Sequence, residues 1–412
     1  MNTMLISLFL MCSLDLSDWD AMAISASPGS RPIASRLLRP SDTSEPKPLL
    51  VILHGMGERG VESTGQLKYL PRLMATPQRR ANFPCYVFVP QCPPNETWSV
   101  ISRTQVSAAP FSTFPEPPMA AVEQGILDIL ANENVDASRI YLCGLSMGGF
   151  GTWDLLSRRP EWFAAAGPIC GGANKVHAPR YVGRSIWNWH GAADEVVSVA
   201  LSDHILDAIR KLGGEPKESR LAGVKHNSWR NAHADGQLID WMFTHRLLPS
   251  DTAKGARTML RSRFKGDPLM VHARVDPLLT PAIEVLASYP EIQLVEREPA
   301  PGDVVLLTPR GNLNDIEKLR SALQAKGVKL ILVTEPQHAK EPPNNERRTW
   351  AVRHHARMQL LPLADIRAAA ASAAPVWSRL NADIVVESKL SESGSALAVR
   401  TIVEALLEMD ES

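Results

Sequence analysis

The feature that most constrains the fold is a serine between two glycines, Gly144-Leu-Ser146-Met-Gly148, placed directly after an apolar run. The run Ile140–Cys143 has the length and composition of a buried strand, and Phe150–Arg159 continues as a helical stretch that ends at Pro160. Cβ atoms beside the serine would clash in so sharp a turn, and the glycines remove them. The pattern therefore predicts a strand, a tight turn and a helix, with the serine oxygen above a sheet at the positive end of the helix.

The same alternation of short apolar runs and helical periods extends along most of the chain, and it predicts βα units with a mostly parallel sheet. In the first part, the predicted strands are Leu49–Leu53, Tyr86–Val89, Ile140–Cys143, Ile186–Trp189 and a further one near Ser219–Leu221. The predicted helices include one that carries Met119, Val122, Ile126, Ile129 and Leu130 at helical spacing, one over about 202–212 and one over about 234–244.

The length of 412 residues exceeds one average domain, and 44% hydrophobic with 21% charged residues is the composition of a folded chain. We predict a signal-like or disordered N-terminus over 1–28 and an α/β catalytic domain over 29–247. Residues 248–266 contain five basic residues and are predicted to be a solvated linker. Residues 267–412 resume the alternation and predict a second, smaller α/β domain.

Charge and cysteine content exclude several classes of protein. Lys and Arg number 44, as do Asp and Glu, so the net charge is zero and we expect no nucleic-acid partner. No apolar run approaches 18 residues, so we expect no transmembrane segment. The five cysteines have no zinc-site spacing, which predicts neither a metal site nor a disulfide scaffold. Cys85 and Cys92 either form one local bridge or remain free thiols.

The N-terminus leaves the location of the protein open. Leu5–Leu14 is an apolar stretch of signal-peptide length, and Ala21-Met-Ala23 has the small residues of a cleavage site. Against export, no Lys or Arg precedes the stretch, and acidic residues follow it. A start assigned upstream of a true one at Met22 is a further alternative. The protein is periplasmic or secreted if Leu5–Leu14 is a signal segment, and cytoplasmic otherwise.

A serine hydroxyl is a weak nucleophile, so it needs a base, and the base needs an orienting carboxylate. In a sheet of this kind the expected chain order is serine, acid, histidine. Asp194 lies in the loop after the strand Ile186–Trp189, with Glu195 as the neighbouring alternative, and His226 follows one βα unit later. We therefore predict Ser146, Asp194 and His226 as the catalytic residues.

Three other histidines, His190, His204 and His233, compete with the predicted base. His204 falls within a predicted helix and His190 at the end of a strand, where structural histidines are commoner.

The tetrahedral intermediate also needs backbone donors for its oxyanion. We predict that one is the amide of Met147 and that the other is the amide of Met56 or Gly57, which follow the first core strand.

Seven motifs resemble those of bacterial carboxylesterases of the α/β-hydrolase superfamily. They are Leu53-His-Gly-Met-Gly-Glu-Arg-Gly60, Pro90-Gln-Cys-Pro93, Gly144-Leu-Ser-Met-Gly-Gly149, Gly151-Thr-Trp153, Pro168-Ile-Cys-Gly-Gly172, His190-Gly-Ala-Ala-Asp194 and His226-Asn-Ser-Trp229. The resemblance is to the group related to polyhydroxybutyrate depolymerase-like and feruloyl-esterase-like enzymes, and more distantly to prolyl oligopeptidases. It covers about residues 30–246 and implies the same catalytic residues and oxyanion donors. Lys225 departs from the glycine expected there.

The second part resembles, more weakly, an SGNH (GDSL-type) hydrolase domain. Gly311-Asn-Leu-Asn-Asp315 is similar to one block of that family, and Lys389-Leu-Ser-Glu-Ser-Gly394 is similar to its final block. That final block has the catalytic histidine where this chain has Lys389, and Val271-His-Ala-Arg-Val-Asp276 contains no Gly-Asp-Ser. The resemblance implies a degenerate copy without catalysis, and an unrelated small α/β domain is the alternative.

The function predicted from these residues is that of a serine carboxylesterase without a metal or organic cofactor. Its expected substrate is a small ester or an ester-decorated polysaccharide, with Trp98 and Trp229 in the substrate-binding site and Trp153 in the core. The alternatives are a prolyl-oligopeptidase-type serine peptidase and a non-catalytic hydrolase-like binding protein. The sequence does not indicate an oligomeric state.

Overall fold

A computed structural model describes residues 15–100, 115–249, 251–263, 266, 268–309, 313–334, 356, 363–377, 379, 385–386 and 389–408. These residues form an eight-stranded sheet, a five-stranded sheet and a two-stranded ribbon, with helices packed on the sheets. The predicted fold class, a mostly parallel α/β protein with a second and smaller sheet, is confirmed. Among the described helices, none combines the length and the apolar character that crossing a membrane requires.

The first sheet contains β1 (Trp19–Ile24), β2 (Ile33–Leu38), β3 (Lys47–Leu53), β4 (Tyr86–Pro90), β5 (Val135–Leu145), β6 (Ala165–Ile169), β7 (Trp187–Gly191) and β8 (Lys217–Leu221). Their order across the sheet is β1-β2-β4-β3-β5-β6-β7-β8. The β1–β2 and β2–β4 pairs are antiparallel, and the other neighbours are parallel. The central strands are covered on both faces, which explains why they appear in the sequence as continuous apolar runs.

The helices of this part are α1 (Leu70–Met74), α2 (Pro77–Asn82), α3 (Pro117–Asn132), α4 (Met147–Arg158), α5 (Ala178–Tyr181), α6 (Ala200–Lys211), α7 (Trp229–Ala232) and α8 (Leu238–Met242). Helices α3, α4 and α6 agree with the sequence prediction. Helix α8 is shorter than the stretch predicted over 234–244, because Gly236 takes φ +73° in a turn before it.

The prediction of a signal-like or disordered N-terminus over 1–28 is corrected within residues 15–28, the part of it that the structure describes. Residues 19–24 form strand β1, an edge strand that pairs with β2 through its whole length. Only Trp19 and Ile24 of this strand are buried, so its apolar pattern is too sparse to identify a strand from the sequence. The proposed cleavage site Ala21-Met-Ala23 lies within β1, whereas Leu5–Leu14 lies outside the described residues.

The second sheet contains β9 (Leu269–Arg274), β10 (Ile292–Leu294), β11 (Val304–Leu307), β12 (Lys329–Thr334) and β13 (Leu363–Asp365), all parallel, in the order β10-β9-β11-β12-β13. The ribbon pairs β14 (Val385–Val386) with β15 (Lys389–Leu390). The helices here are α9 (Asp251–Arg263), α10 (Thr280–Ala287), α11 (Leu313–Ala325), α12 (Ile366–Trp377) and α13 (Glu392–Glu408). Doubly wound families of many functions share this strand order, so the SGNH resemblance stays a prediction.

The predicted linker over 248–266 is also corrected, because most of it forms helix α9. Ala256, Met259 and Leu260 are fully buried at the i, i+3, i+4 spacing of one helical face. Four of the five basic residues that suggested a solvated connector, Lys254, Arg257, Arg261 and Arg263, lie on the exposed side of the helix. The sequence analysis weighed the charges of this segment and missed the apolar stripe by which the helix packs against the rest of the protein.

The two sheets share one continuous apolar core, and polar side chains also cross between the two parts. Arg400 of α13 is 3% exposed, and its Nη1 donates to the carbonyl oxygen of Val182 at 2.8 Å. Its Nε pairs with Glu404 Oε1 at 2.6 Å. The indole N–H of Trp162 donates to the carbonyl oxygen of Ser372 at 2.6 Å. We therefore propose that the second part stabilises the first and is not an independent module.

Replacing Arg400 by methionine is expected to lower the free energy of unfolding by about 3 kcal/mol, the usual cost of removing one partner of a buried pair. The change removes the donor to the carbonyl of Val182 and leaves Glu404, whose side chain is 17% exposed, with the more distant Arg180 at 3.8 Å. Urea unfolding measures the loss. The matched control is Arg220→Met, because the pair of Arg220 with Asp203, whose side chains are 50% and 26% exposed, is worth about 1 kcal/mol or less. An equal loss in both variants would contradict the proposal.

Buried histidines make the stability depend on pH. Burial lowers the pKa of His54 to about 4 and that of His233 to about 3, from the ordinary value of 6.5. Because these folded-state pKa values are depressed, the unfolded chain takes up protons first as the pH falls. The stabilisation is therefore complete above about pH 6.5 and is lost as the pH falls toward 4.

Replacing His233 by glutamine is therefore expected to flatten the fall in unfolding free energy between pH 6.5 and pH 4.5. One proton accounts for at most about 1.4 kcal/mol per pH unit. Urea unfolding at several pH values measures the slope. The control is His204→Gln, because His204 is exposed on α6 and its removal should leave the slope unchanged. A His233→Gln slope equal to that of the unmodified protein would contradict the assignment.

The four cysteines among the described residues, Cys85, Cys92, Cys143 and Cys170, are free and buried. The structure thus decides the alternative that the sequence left open, in favour of two free thiols at Cys85 and Cys92. Burial raises the pKa of each of these two thiols to about 12, which keeps them protonated and unreactive.

Candidate active site

The predicted site residues follow strands whose carboxyl ends meet at the same edge of the first sheet. Ser146 follows β5, Asp194 follows β7 and His226 follows β8, while Met56 and Gly57 follow β3. Ligand sites in parallel sheets form in the crevice outside these strand ends. The topology alone therefore brings together loops that are up to 170 positions apart in the sequence.

Ser146 has a strained backbone, with φ 53° and ψ −116°, between the end of β5 and the first residue of α4. Its N–H donates to the carbonyl oxygen of Ile169 at 2.9 Å. The flanking glycines are required by space: a Cβ on Gly148 would lie 1.9 Å from the carbonyl oxygen of Leu53, and one on Gly144 would lie 2.4 Å from that of Gly148. The predicted tight turn is thus present, and the strain is concentrated at the serine.

The structure brings the three predicted side chains into one hydrogen-bonded chain. His226 Nε2 lies 2.9 Å from Ser146 Oγ, and His226 Nδ1 lies 2.8 Å from Asp194 Oδ2. With Nδ1–H donating to the carboxylate, Nε2 is left to accept the serine proton. The Asp194 side chain is fully buried, whereas 21% of the His226 side chain is exposed. The base can therefore be reached from solvent while its carboxylate partner cannot.

Both oxygens of the Asp194 carboxylate have hydrogen-bond partners. Its Oδ1 accepts the backbone N–H groups of Val196 and Val197, each at 2.9 Å. His190 Nε2 lies 3.3 Å from Oδ2 and 2.9 Å from the carbonyl oxygen of Val197. Burial lowers the pKa of His190, which favours its neutral form. His190 is therefore a structural partner of Asp194.

The alternatives to the predicted acid and base lie elsewhere. The Glu195 side chain is 78% exposed and lies 3.6 Å from the ammonium of Lys225. Lys225, the residue that departs from the resemblance, is itself 70% exposed. His204 is exposed on α6, and His233 is 5% exposed with its carbonyl oxygen bound by Arg79. These residues are outside the hydrogen-bonded chain of Ser146.

Ser146 and His226 open into a cleft of about 290 Å³. The other residues that line it are Gly55, Met56, Gly57, Glu58, Tyr69, Thr97, Leu145, Met147, Phe150, Val196, Val197 and Trp229.

Trp229, predicted to bind substrate, stands perpendicular to His226 with their rings 5.5 Å apart. The ring of Tyr69 lies 5.5 Å from that of Trp229, tilted by 54°, and Tyr69 has φ 57°, an unusual conformation for a bulky residue. No motif marks Tyr69, so the sequence analysis missed it.

The residues predicted to supply oxyanion donors also line the cleft. Met147 is the first residue of α4, where a backbone N–H has no partner within the helix. Met56 and Gly57 lie in a short 3₁₀ turn, Met56–Glu58. His54 braces this loop, because its Nδ1 lies 2.6 Å from the Gly55 carbonyl oxygen and its Nε2 accepts the Cys92 N–H at 2.9 Å. Burial lowers the pKa of His54 to about 4, so its ring remains neutral and this bracing persists near neutral pH.

The placement of Trp98 in the substrate-binding site is corrected by the structure. Its side chain is fully buried, does not line the cleft, and donates its indole N–H to the carbonyl oxygen of His54 at 3.0 Å. Trp98 therefore supports the loop after β3 from inside the protein. Trp153 is also fully buried, as expected for a core residue.

The described residues contain one group of side chains with the spacing of a metal site. Ligand atoms of Cys170, Asp194 and His226 lie within 4.8 Å of one another. A thiol must lose its proton to bind a metal, and burial raises the pKa of Cys170 to about 12. Asp194 and His226 are already paired with each other. The group therefore fits a hydrogen-bonded active site better than a metal centre.

Comparison with family models finds no match. The chain is similar to a solved structure described as a thermostable esterase, with 34% identity and a TM-score of 0.52 over 56% of this chain and 64% of that one. It is also similar to poly(3-hydroxyalkanoate) depolymerase C from Paucimonas lemoignei, with 40% identity over 55 residues, which are 13% of each protein. The chain therefore spans less than two thirds of the length of either relative.

The strand order of the first sheet and the similarity to a solved esterase identify its fold as that of the α/β hydrolases. The predicted resemblance to esterases of this fold is thereby confirmed.

Proposed function

We propose that this protein is a serine carboxylesterase that hydrolyses carboxylic esters through an acyl-enzyme intermediate. The observation that carries the proposal is the hydrogen-bonded chain from Ser146 through His226 to Asp194, with distances of 2.9 and 2.8 Å, at the wall of an open cleft. The similarity to an esterase at 34% identity supports the same reaction class.

In the proposed mechanism, Ser146 Oγ attacks the ester carbonyl carbon while His226 Nε2 accepts the serine proton. Asp194 keeps His226 in the required tautomer and stabilises the imidazolium that forms. The amides of Met147 and of Met56 or Gly57 stabilise the negative oxygen of the tetrahedral intermediate. His226 then returns the proton to the alcohol, which leaves. Water, activated by the same histidine, releases the acid from Ser146.

The shape of the cleft favours a small ester group, alone or attached to a polymer. Its volume of about 290 Å³ is at the lower end of the range for ligand pockets, which begins at about 300 Å³. Its walls are largely apolar, and Trp229 and Tyr69 form an aromatic side. The depolymerase among the relatives is named for a polyester, which agrees with a substrate of this kind.

The proposal is tested with a fluorophosphonate probe and with a matched ester and amide. The probe is expected to label the unmodified protein at Ser146 and to leave a Ser146→Ala variant unlabelled. The ester should be cleaved much faster than the amide of the same acid and a similar leaving group. Absence of labelling would support a non-catalytic binding protein, and faster cleavage of the amide would support a peptidase.

A further inference from the structure

A second cavity lies where the two parts of the protein meet, and the proposed mechanism does not use it. Its volume of about 440 Å³ is within the range of small-molecule pockets, which begins at about 300 Å³. Helices α12 and α13 form one side, and the C-terminal end of α4 with the segment around α5 forms the other. Helix α4 begins at Met147 in the cleft wall and ends at Arg158 in this cavity, so the two sites are about 17 Å apart along the helix.

The cavity is rich in guanidinium groups. Five arginines line it, namely Arg158, Arg159, Arg180, Arg184 and Arg400. Four of them have a carboxylate partner within 4 Å: Arg158 pairs with Asp154, Arg159 with Glu123, and both Arg180 and Arg400 with Glu404. These four charges are thus balanced by the protein itself.

Arg184 is the exception among the five. Of the residues that the structure describes, none forms an ion pair or a hydrogen bond with its guanidinium group, and its Nε is buried. Burial lowers the pKa of Arg184 to about 10, and the nearby charge of Arg400 adds to this effect. The group still carries its charge at neutral pH. A charge that leaves water without a partner is costly, and an anion in the cavity offsets that cost.

Two further carboxyl groups line the cavity, and both are engaged elsewhere. Glu161 accepts a hydrogen bond from the hydroxyl group of Ser372, and burial raises the pKa of Glu161, which disfavours its charged form. Asp365 Oδ1 accepts the hydroxyl group of Thr334 at 2.9 Å. The charge of Glu161 favours the charged form of Arg184, but this effect is smaller than that of burial.

The chemistry of the unpaired group indicates what it binds. A guanidinium group offers two parallel N–H donors, which match two oxygens of a carboxylate or of a phosphate group. Arg180 provides a second positive charge, since it lies near enough to Arg184 to lower the pKa of that residue. Its side chain is 47% exposed and its Nε is 3.8 Å from Glu404, so its own ion pair is weak.

We propose that this cavity binds a small anion with a phosphate or carboxylate group, held by Arg184 together with Arg180. The site is separate from the proposed esterase function. Because both parts of the protein form its walls, the site exists only in the folded chain, and a bound anion stabilises that state.

Binding is measured by isothermal titration calorimetry of the full chain with inorganic phosphate and, in a second arm, with acetate, at an ionic strength kept constant with sodium chloride. We expect saturable binding of one anion per chain. In Arg184→Met the Kd should rise about 10- to 100-fold, the value of hydrogen bonds to a charged group. The matched control is Arg220→Met, which removes an exposed arginine outside the cavity and should leave the Kd unchanged.

The two arms distinguish the sources of the anionic group. Tighter binding of phosphate assigns a phosphate group to the ligand, and tighter binding of acetate assigns a carboxylate; either result supports the proposal. Absence of saturable binding in both arms, or equal Kd values for the unmodified protein and Arg184→Met, would overturn it. If Arg184→Met does not fold, Arg180→Met takes its place, with a smaller rise in Kd expected and an unchanged Kd as the contrary result.

Urea unfolding separates anion binding from a purely structural role of Arg184. Phosphate should raise the midpoint of the unmodified protein more than that of Arg184→Met, because the general stabilising effect of phosphate salts is common to both. Arg220→Met should respond to phosphate as the unmodified protein does. Equal shifts of the midpoint in all three proteins would show that phosphate acts on the solvent and that Arg184 holds no anion.

Discussion

Replacing Ser146 by alanine is expected to lower kcat for a short p-nitrophenyl ester by about a million-fold, as removal of the nucleophile does in serine hydrolases. The physical reason is that Ser146 Oγ, 2.9 Å from His226 Nε2, is the hydroxyl whose proton the histidine accepts. The substituted turn should still form, because the glycines around it leave the space that it needs and alanine adds no atom that serine lacks.

The measurement is steady-state hydrolysis above the spontaneous rate, with the urea midpoint recorded to show that the variant folds. Ser198→Ala is the matched control, because Ser198 is exposed in the loop that follows Asp194. It should retain activity within about two-fold, as surface substitutions have small effects. A Ser146→Ala protein with an undiminished rate would remove the basis of the proposed function.

Replacing Asp194 by asparagine is expected to lower kcat by about 10,000-fold while the fold is retained. The structure gives a specific reason. Oδ1 accepts two backbone N–H groups, from Val196 and Val197, so the amide oxygen of asparagine must occupy that position. Its NH₂ group then faces His226 Nδ1, which must become an acceptor. The ring proton moves to Nε2, and the histidine can no longer accept the proton of Ser146.

The matched control for this variant is Glu195→Gln, which changes the neighbouring carboxylate in the same way. Its side chain is 78% exposed and pairs with Lys225, so kcat should change by less than about two-fold. Both variants are measured with the same ester. Comparable losses in the two would show that the net charge of the loop matters and that the contact between Asp194 and His226 does not.

The sequence analysis identified the parts of the site that local chemistry dictates. The turn at Ser146 needs glycines on both sides, and these glycines stand in the sequence between an apolar run and a helical period. Asp194 and His226 could be chosen because polar residues that follow successive parallel strands reach the same edge of a sheet. Each of these inferences depends on neighbouring residues or on strand order, which the sequence displays directly.

Other features depend on packing between distant segments, and the sequence analysis missed or misjudged them. Trp98 was expected in the cleft, but its ring packs inside and its N–H binds the carbonyl oxygen of His54. Tyr69 reaches the cleft through a strained backbone and contacts Trp229, a residue 160 positions away in the sequence. An aromatic side chain suits either a core or a cleft, so composition could not distinguish these roles.

The sequence by itself determined the parallel α/β architecture, the turn that presents Ser146 and the order in which its partners follow, because periodicity and glycine placement are local properties. Only the tertiary structure decided that segment 251–263 is a packed helix, that Trp98 is internal and that Glu58 faces the cleft. The physical reason is that burial is a property of what a residue packs against, and those neighbours come from strands and helices far away along the chain.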